Sequence, residues 1–394
     1  MVDTCHACGS AALRVFYRVE QVPVHSCLLM PTEAEAVGYP KGDLEIAFCE
    51  ECAFVQNNRF EAAVHEYSPR YEETQAFSPT FREFVKQLTH RYAESFGVRG
   101  PDKLAVEIGC GKGEFLVALC EELGCRGVGI DPGCRPERIE SAAASRLEWI
   151  QDFYGEAYGE LDADLVFCRH TLEHIQPVQK FMQTVRRAIG GRLKTAVAFE
   201  LPDMERVLTD FAFWDIYYEH CSYFTAGSLR RLFQRAGFEV VAEDKVYDGQ
   251  YLLIDAYPGA AASTSIGAAG SDDVRETASQ VARFEEVVSA ELAKWRAYFE
   301  DAAARGEQVV LWGSGSKAVA FLTTLGLGDE VACVTDINPF RHGMFMPGSG
   351  HRIVPPEDLA LLRPQRVVAM NAIYQQEIAQ QLRELGVDAA LVTV

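Results

Sequence analysis

No stretch of this 394-residue chain is both long enough and uncharged enough to span a bilayer, so a membrane helix is not expected. Its start, Met1-Val2-Asp3-Thr4-Cys5, lacks a basic segment followed by an apolar one, which argues against a secretory signal. Positive charge is scarce: 37 Lys and Arg stand against 57 Asp and Glu, a formal net charge of −20. Nucleic-acid binding needs clustered cations to neutralise phosphates, so no nucleic acid is expected as a partner. A small anionic ligand in a local pocket remains compatible with that balance. The chain is 48% hydrophobic, ample for cores, and its length predicts two or three domains. Twelve cysteines without a signal point to reduced thiols and metal rather than disulfides, hence to the cytoplasm.

Cys5-His6-Ala7-Cys8 and Cys49-Glu50-Glu51-Cys52 are two C-x-x-C pairs. Each presents two thiolates to one ion, and four thiolates in a tetrahedron favour zinc. Cys5, Cys8, Cys49 and Cys52 are therefore the expected ligands, with His6 and Cys27 as less favoured replacements. A site closed by four thiolates is structural, and residues 1–65, short of apolar runs, are expected to need the ion to fold.

Between residues 104 and 113 the sequence reads L-A-V-E-I-G-C-G-K-G, followed by Phe115, Leu116, Leu119 and Leu123 at helical spacing. This predicts a strand, a glycine turn and a helix, with backbone able to come close to a ligand. A second apolar run ends in Asp131, where an acid suits a ribose diol. Glu107-x-Gly109-x-Gly111-x-Gly113 followed by Asp131 resembles the S-adenosylmethionine (SAM) site of class I methyltransferases. That resemblance implies glycines against the methionine part, Asp131 on the ribose, and Asp152 and Phe153 as candidates at the adenine. Residues 65–71, polar and aromatic, read either as a lid over such a pocket or as a surface linker. Ser78 and Pro79 predict a helix start, with Phe77, Phe81, Phe84, Val85, Leu88 and Tyr92 as its apolar stripe.

Further on, Asp164 to Cys168 predicts a buried strand, and Arg169-His170-Thr171-Leu172-Glu173-His174 follows it at a sheet's carboxyl edge, where ligands bind. His170 and His174, four residues apart, are expected to share a helix face. They read as substrate contacts, with core or capping histidines as the competing reading; a metal pair lacks an evident third ligand. A strand over residues 195–201 then ends in Glu200-Leu201-Pro202. After it, Phe213 to Phe224 packs acid, histidine and tyrosines into a run that is neither an amphipathic helix nor a clean strand. A histidine titrates close to neutral pH and can take a proton. A phenol can donate to a developing oxyanion.

The Ile216-Tyr217-x-Glu219-His220-x-Ser222-Tyr223-Phe224 run, with the paired C-x-x-C knuckles, resembles the sugar C-methyltransferases of deoxysugar biosynthesis. The resemblance covers essentially the whole chain. It implies an α/β class I methyltransferase (Rossmann-like) core over residues 75–257. A zinc-binding domain over 1–65 would precede it, and a second Rossmann-like domain over 274–394 would follow. It further implies a small-molecule substrate, a nucleotide-linked 4-keto sugar methylated on the carbon beside the ketone. His220 would be the base, Tyr217 and Glu219 would hold and orient the sugar, and His174 matches a family histidine. The chain departs from the family pattern at His170, where Asn is expected, at Glu173, where a neutral residue is expected, and at Tyr218, where His is common. A monomer or small homo-oligomer is expected.

In the last third, residues 259–271 are small and predict a linker, followed by a long helix over about 274–304. Val309 to Lys317, V-V-L-W-G-S-G-S-K, repeats the strand–glycine–helix theme and is followed by Asp336 after another strand. Its glycine spacing fits neither a SAM nor an NAD site well. It reads as a phosphate-binding turn with Lys317 nearby, or as a structural domain alone.

Overall fold

A computed structural model describes residues 3–64, 70–135, 141–259 and 271–394. The expected linker, from residue 260 to 270, and residues 65–69 of the polar aromatic passage lie outside the described residues.

Alternating apolar positions make β1 (Leu13–Pro23), β2 (Lys41–Cys49) and β3 (Val55–Asn57) an antiparallel meander. The central sheet begins with β4 (Leu104–Ile108), β5 (Arg126–Ile130), β6 (Leu147–Ile150), β7 (Leu165–Arg169) and β8 (Ala196–Pro202). These five run parallel. All of β4 and β7 is buried, as continuous apolar runs covered on both faces must be. β9 (Ser222–Tyr223) leaves this sheet and pairs with β3 of the N-terminal meander. β10 (Phe238–Val246) and β11 (Tyr251–Pro258) complete the central sheet, with β11 antiparallel to β8. The spatial order is β10-β11-β8-β7-β4-β5-β6, which reverses direction between β4 and β7.

The third sheet is wholly parallel: β12 (Val309–Trp312), β13 (Cys333–Thr335), β14 (Ile353–Val354), β15 (Arg366–Ala369) and β16 (Ala390–Thr393), in the order β14-β13-β12-β15-β16. It too has a switch point, between β12 and β15. In open α/β sheets, ligands sit at such points, beyond the carboxyl ends of the strands.

The helix Pro79–Phe96 starts as its sequence dictates, with the Ser78 hydroxyl accepting from the Phe81 amide and Pro79 in the first turn. The helix Asp272–Ala304 ties the three sheets together. Its Phe284 meets Phe16 and Tyr17 of β1 edge-on, while Trp295 packs against Trp214 and Phe321. The resulting apolar cluster draws on all three parts of the chain, so burial favours one relative arrangement of them. No described helix is long and apolar enough to cross a membrane.

Candidate active site

One cavity of about 1010 Å³ lies where the two switch points face each other. Gly109, Gly111 and Asp131 line one side, Gly313, Lys317 and Asp336 another, and Tyr217 and His220 a third.

The first glycine turn is built from backbone that other residues tolerate poorly. Gly109, Gly111 and Gly113 have φ of 70°, 52° and 77°. A Cβ at Gly109 would lie 2.1 Å from the Thr171 hydroxyl. Asp131 Oδ2 accepts from the Gly111 amide at 3.1 Å and Oδ1 from Gly133 at 2.6 Å, so β5 fixes the turn. Gly113 starts the helix Glu114–Leu123. Glu107 is buried beneath, and its Oε2 has no hydrogen-bond partner. Burial lifts its carboxyl to about 8, against the opposing pull of Arg169. An open glycine cradle with a carboxylate at the next strand's tip fits a nucleoside cofactor. Asp152 and Phe153 are not among the residues lining the cavity. Asp152 accepts from Tyr158, and Phe153 is 61% exposed.

The second turn is occupied by its own protein. Asp336 Oδ2 accepts from the Ser314 amide at 2.7 Å and from its hydroxyl at 2.5 Å. The Arg341 guanidinium donates to the Ser314 carbonyl at 2.7 Å and also to the Glu72 carbonyl. Lys317 donates to Asp215 at 2.9 Å and to Gln250 at 3.2 Å. Between the two turns run residues 71–75: Tyr71 lines the cavity, and Lys112 of the first turn donates to Glu73 at 2.9 Å.

On the third side, His220 Nε2 lies 2.9 Å from the Tyr217 hydroxyl, and its Nδ1 is buried without a partner. Burial, and then the charges of His174, His170 and Lys317, hold His220 well below the ordinary 6.5, so its imidazole is neutral at pH 7. Burial, reinforced by Asp215, pushes the Tyr217 phenol well above 10, so it keeps its proton. His174 also lines the cavity, its ring 4.9 Å from that of His220 and its Nδ1 2.9 Å from the Glu219 carbonyl. Glu219 does not line the cavity. Its buried carboxylate lies 2.8 Å from His25 Nδ1 and accepts from the amide and hydroxyl of Ser26. Burial alone would raise it, but those partners hold it below its ordinary value. It anchors the N-terminal meander to the His220 loop.

The shared helix face of His170 and His174 is not found. His170 has a φ of 46°, and the helix shrinks to one 3₁₀ turn, Leu172–His174. His170 instead points at two carboxylates, Glu200 at 2.8 Å and Glu173 at 3.6 Å. Burial would depress it, but these anions lift it to about 9. Glu200 also accepts from Arg169 at 2.7 Å. Burial would raise Glu200, but Arg169 and His170 hold it at about 2. Arg169 lines the cavity with no sequence signal pointing to it, while Tyr71, Cys27 and Lys317 line it from segments that the sequence offered as a lid, a replacement metal ligand and a second turn.

Away from the cavity, Cys5, Cys8, Cys49 and Cys52 gather with all four sulfurs within 4.8 Å of one another, two pairs at 3.6 Å. A tetrahedron with Zn–S bonds of about 2.3 Å has edges near 3.8 Å, so the donor set fits zinc. His6 and Cys27 are not part of it; Cys27 lies 3.3 Å from Ser316 at the cavity.

Comparison with known proteins adds a family to this geometry. The methyltransferase-domain family matches residues 79–243, and the C-methyltransferase C-terminal domain family matches residues 267–392. A relative along nearly the full length is the C-methyltransferase NovU of Streptomyces niveus. It is 25% identical, over 97% of this chain and 93% of that protein. Among solved structures, the magnesium protoporphyrin IX methyltransferase of Synechocystis PCC 6803, with bound SAH, is 12% identical. It aligns over 46% of this chain and 84% of its own, with a TM-score of 0.36. The PH0226 protein of Pyrococcus horikoshii OT3 is 20% identical over 47% of this chain and 94% of its own, with a TM-score of 0.36.

Proposed function

Since this chain belongs to the SAM-dependent C-methyltransferases, we propose that it methylates the carbon beside the ketone of a nucleotide-linked 4-keto deoxysugar. The observation that carries this reading is the neutral His220 imidazole, paired with the protonated Tyr217 phenol, in the same cavity as the Gly109–Gly111 turn. When bound, SAM supplies an electrophilic methyl group on a sulfonium.

The protein's part is to make a carbon nucleophile. His220 takes the proton from the acceptor carbon, and the C–H electron pair moves to the ketone oxygen. Tyr217 donates to that oxygen as negative charge grows on it. Gly109, Gly111 and Asp131 would hold the cofactor, whose methyl group the carbanion takes up. His174 holds the His220 loop through the Glu219 carbonyl and lines the acceptor side. Glu219 acts from behind, through His25 and Ser26. The cavity, at about 1010 Å³, is large enough for a cofactor and a sugar nucleotide together. Cys5, Cys8, Cys49 and Cys52 would hold one structural zinc, and metal analysis finding none would refute that.

The test is solvent-deuterium exchange at the acceptor carbon without SAM, followed by methyl transfer. Wild type should exchange, and His220→Ala should lose both exchange and methylation while binding SAM within about twofold. Exchange that persists in His220→Ala removes the base. Methylation without any exchange, on oxygen or nitrogen, removes the carbon acceptor.

A further inference from the structure

Glu173 is 2% exposed, and neither of its carboxylate oxygens has a hydrogen-bond partner. A buried carboxylate in that state is costly unless charge nearby offsets it. Its Oε1 lies 3.6 Å from His170 Nδ1 and 4.0 Å from His220 Nε2. Behind His170 stands Glu200, and behind Glu200 stands Arg169, each at ion-pair distance. The groups therefore run Arg169, Glu200, His170, Glu173 and His220, each within 4.0 Å of the next, with His170 lifted to about 9 and His220 held neutral. Ahead of His220 the line balances two basic groups against two acidic ones.

Proton uptake at His220 breaks that balance. The new imidazolium faces the Tyr217 hydroxyl at 2.9 Å, the His174 ring at 4.9 Å and the Tyr223 ring at 6.1 Å, with Lys317 and His170 adding like charge. Glu173 is the described carboxylate within ion-pair distance of it. Glu173 is in turn faced by His170, His174, His220, Cys168 and Tyr217, and its neighbouring anions lift His170 to about 9.

We infer that Glu173 is a positioning residue that acts as the buried counter-ion of His220, stabilising the imidazolium formed when the acceptor carbon gives up its proton. The inference rests on reading His220 as the base. In the step, the C–H bond breaks, its electron pair becomes the enolate, and the proton stays on His220. Glu173 also lines the cavity and acts on the reaction through His220. His170, lifted to about 9, gives Glu173 a cationic neighbour at 3.6 Å in the resting enzyme.

The experiment uses the full-length enzyme and a nucleoside-diphosphate 4-keto-6-deoxyhexose that the wild type turns over. Exchange rate and kcat/KM are followed against pH for wild type, E173Q, E173D and H170N/E173Q. Loss of the anion makes His220 harder to protonate, so in E173Q the acid limb of kcat/KM should move to lower pH. Exchange should fall about 10- to 100-fold while SAM affinity is kept. E173D should recover part of the loss. H170N/E173Q, which removes both members of the pair, should be less impaired than E173Q alone, because no unpaired cation is left beside His220. If H220A abolishes exchange while E173Q leaves rate and pH profile unchanged, the counter-ion role is wrong and the base stands. If H220A retains exchange, the base reading itself fails. A drop of one bound metal per chain in E173Q would make Glu173 a ligand and overturn the inference. So would equal loss of SAM binding and melting temperature with no change in the acid limb.

Discussion

The two glycine turns share a plan and face the same cavity, yet only one is left open. Each follows a buried strand, opens a helix and is fixed by an aspartate from the next strand, Asp131 in one case and Asp336 in the other. They differ in what fills them. The first has three glycines at positive φ, with Asp131 on the Gly111 amide and the Thr171 hydroxyl on the Gly109 carbonyl at 3.4 Å. In the second, Gly313 has a φ of 105° but Gly315 has an ordinary −80°, and the Arg341 guanidinium donates to the Ser314 carbonyl and hydroxyl. The same local architecture thus fits a cofactor where left-handed glycines keep the backbone approachable. It fits a wall where one of the chain's own cations takes the polar groups that a ligand would use.

Substituting one glycine from each turn puts this contrast under most strain. Gly109→Ala forces a Cβ 2.1 Å from Thr171 at a positive φ, and should abolish measurable SAM binding by calorimetry and cost about 3 kcal/mol of stability. Gly315→Ala has nothing within 4 Å of the added Cβ and should leave SAM affinity unchanged. Equal damage from both would erase the distinction. Next in size are the aspartates. Asp131→Ala should weaken SAM binding about 10- to 100-fold through lost hydrogen bonds. Asp336→Ala should leave SAM affinity alone and lower the melting temperature by about 2–4 °C.

The smallest effect comes from the charges beneath each turn. Under the first lies His170, whose pKa is raised from an ordinary 6.5 to about 9. Its contribution is fully present below about pH 6.5 and is lost as pH rises through about 9, on the order of 2 kcal/mol. Under the second lies Arg341, which stays charged throughout. Thermal melts from pH 6.5 to 9.5 should therefore show an alkaline loss that His170→Asn removes. If the loss persists in that variant, His170 is not its source.

Much of the first turn was legible in sequence because its signals are local: an apolar run, glycines at fixed spacing, helical periodicity, and an acid at the next strand's tip. The C-x-x-C pairs were legible for the same reason, since two thiolates three residues apart constrain one another wherever the chain goes. What stayed hidden depended on direction or distance. Nothing in the residues around Glu219 says that its carboxylate turns away from the cavity towards His25, a residue 194 positions earlier. His170 and His174 have the spacing of a helix face, but His170 takes a left-handed conformation that ends the strand, and periodicity is blind to that. His170 and Glu173 were visible as two departures from the family pattern. That they are opposite charges 3.6 Å apart emerges only in three dimensions.

The short strand β9 begins two residues after His220 and pairs with β3, whose sheet belongs to the N-terminal meander. The His220 loop is thus hemmed into a neighbour's fabric: the Cys221 carbonyl accepts from the Asn57 amide, and β3 itself begins three residues after Cys52. An enzyme put together this way has a built-in assembly check. A nascent chain whose first sixty residues have misfolded has no template on which to lay down the His220 loop. Grafting the central domain onto a foreign leader would leave β9 without its partner strand unless that missing edge came too.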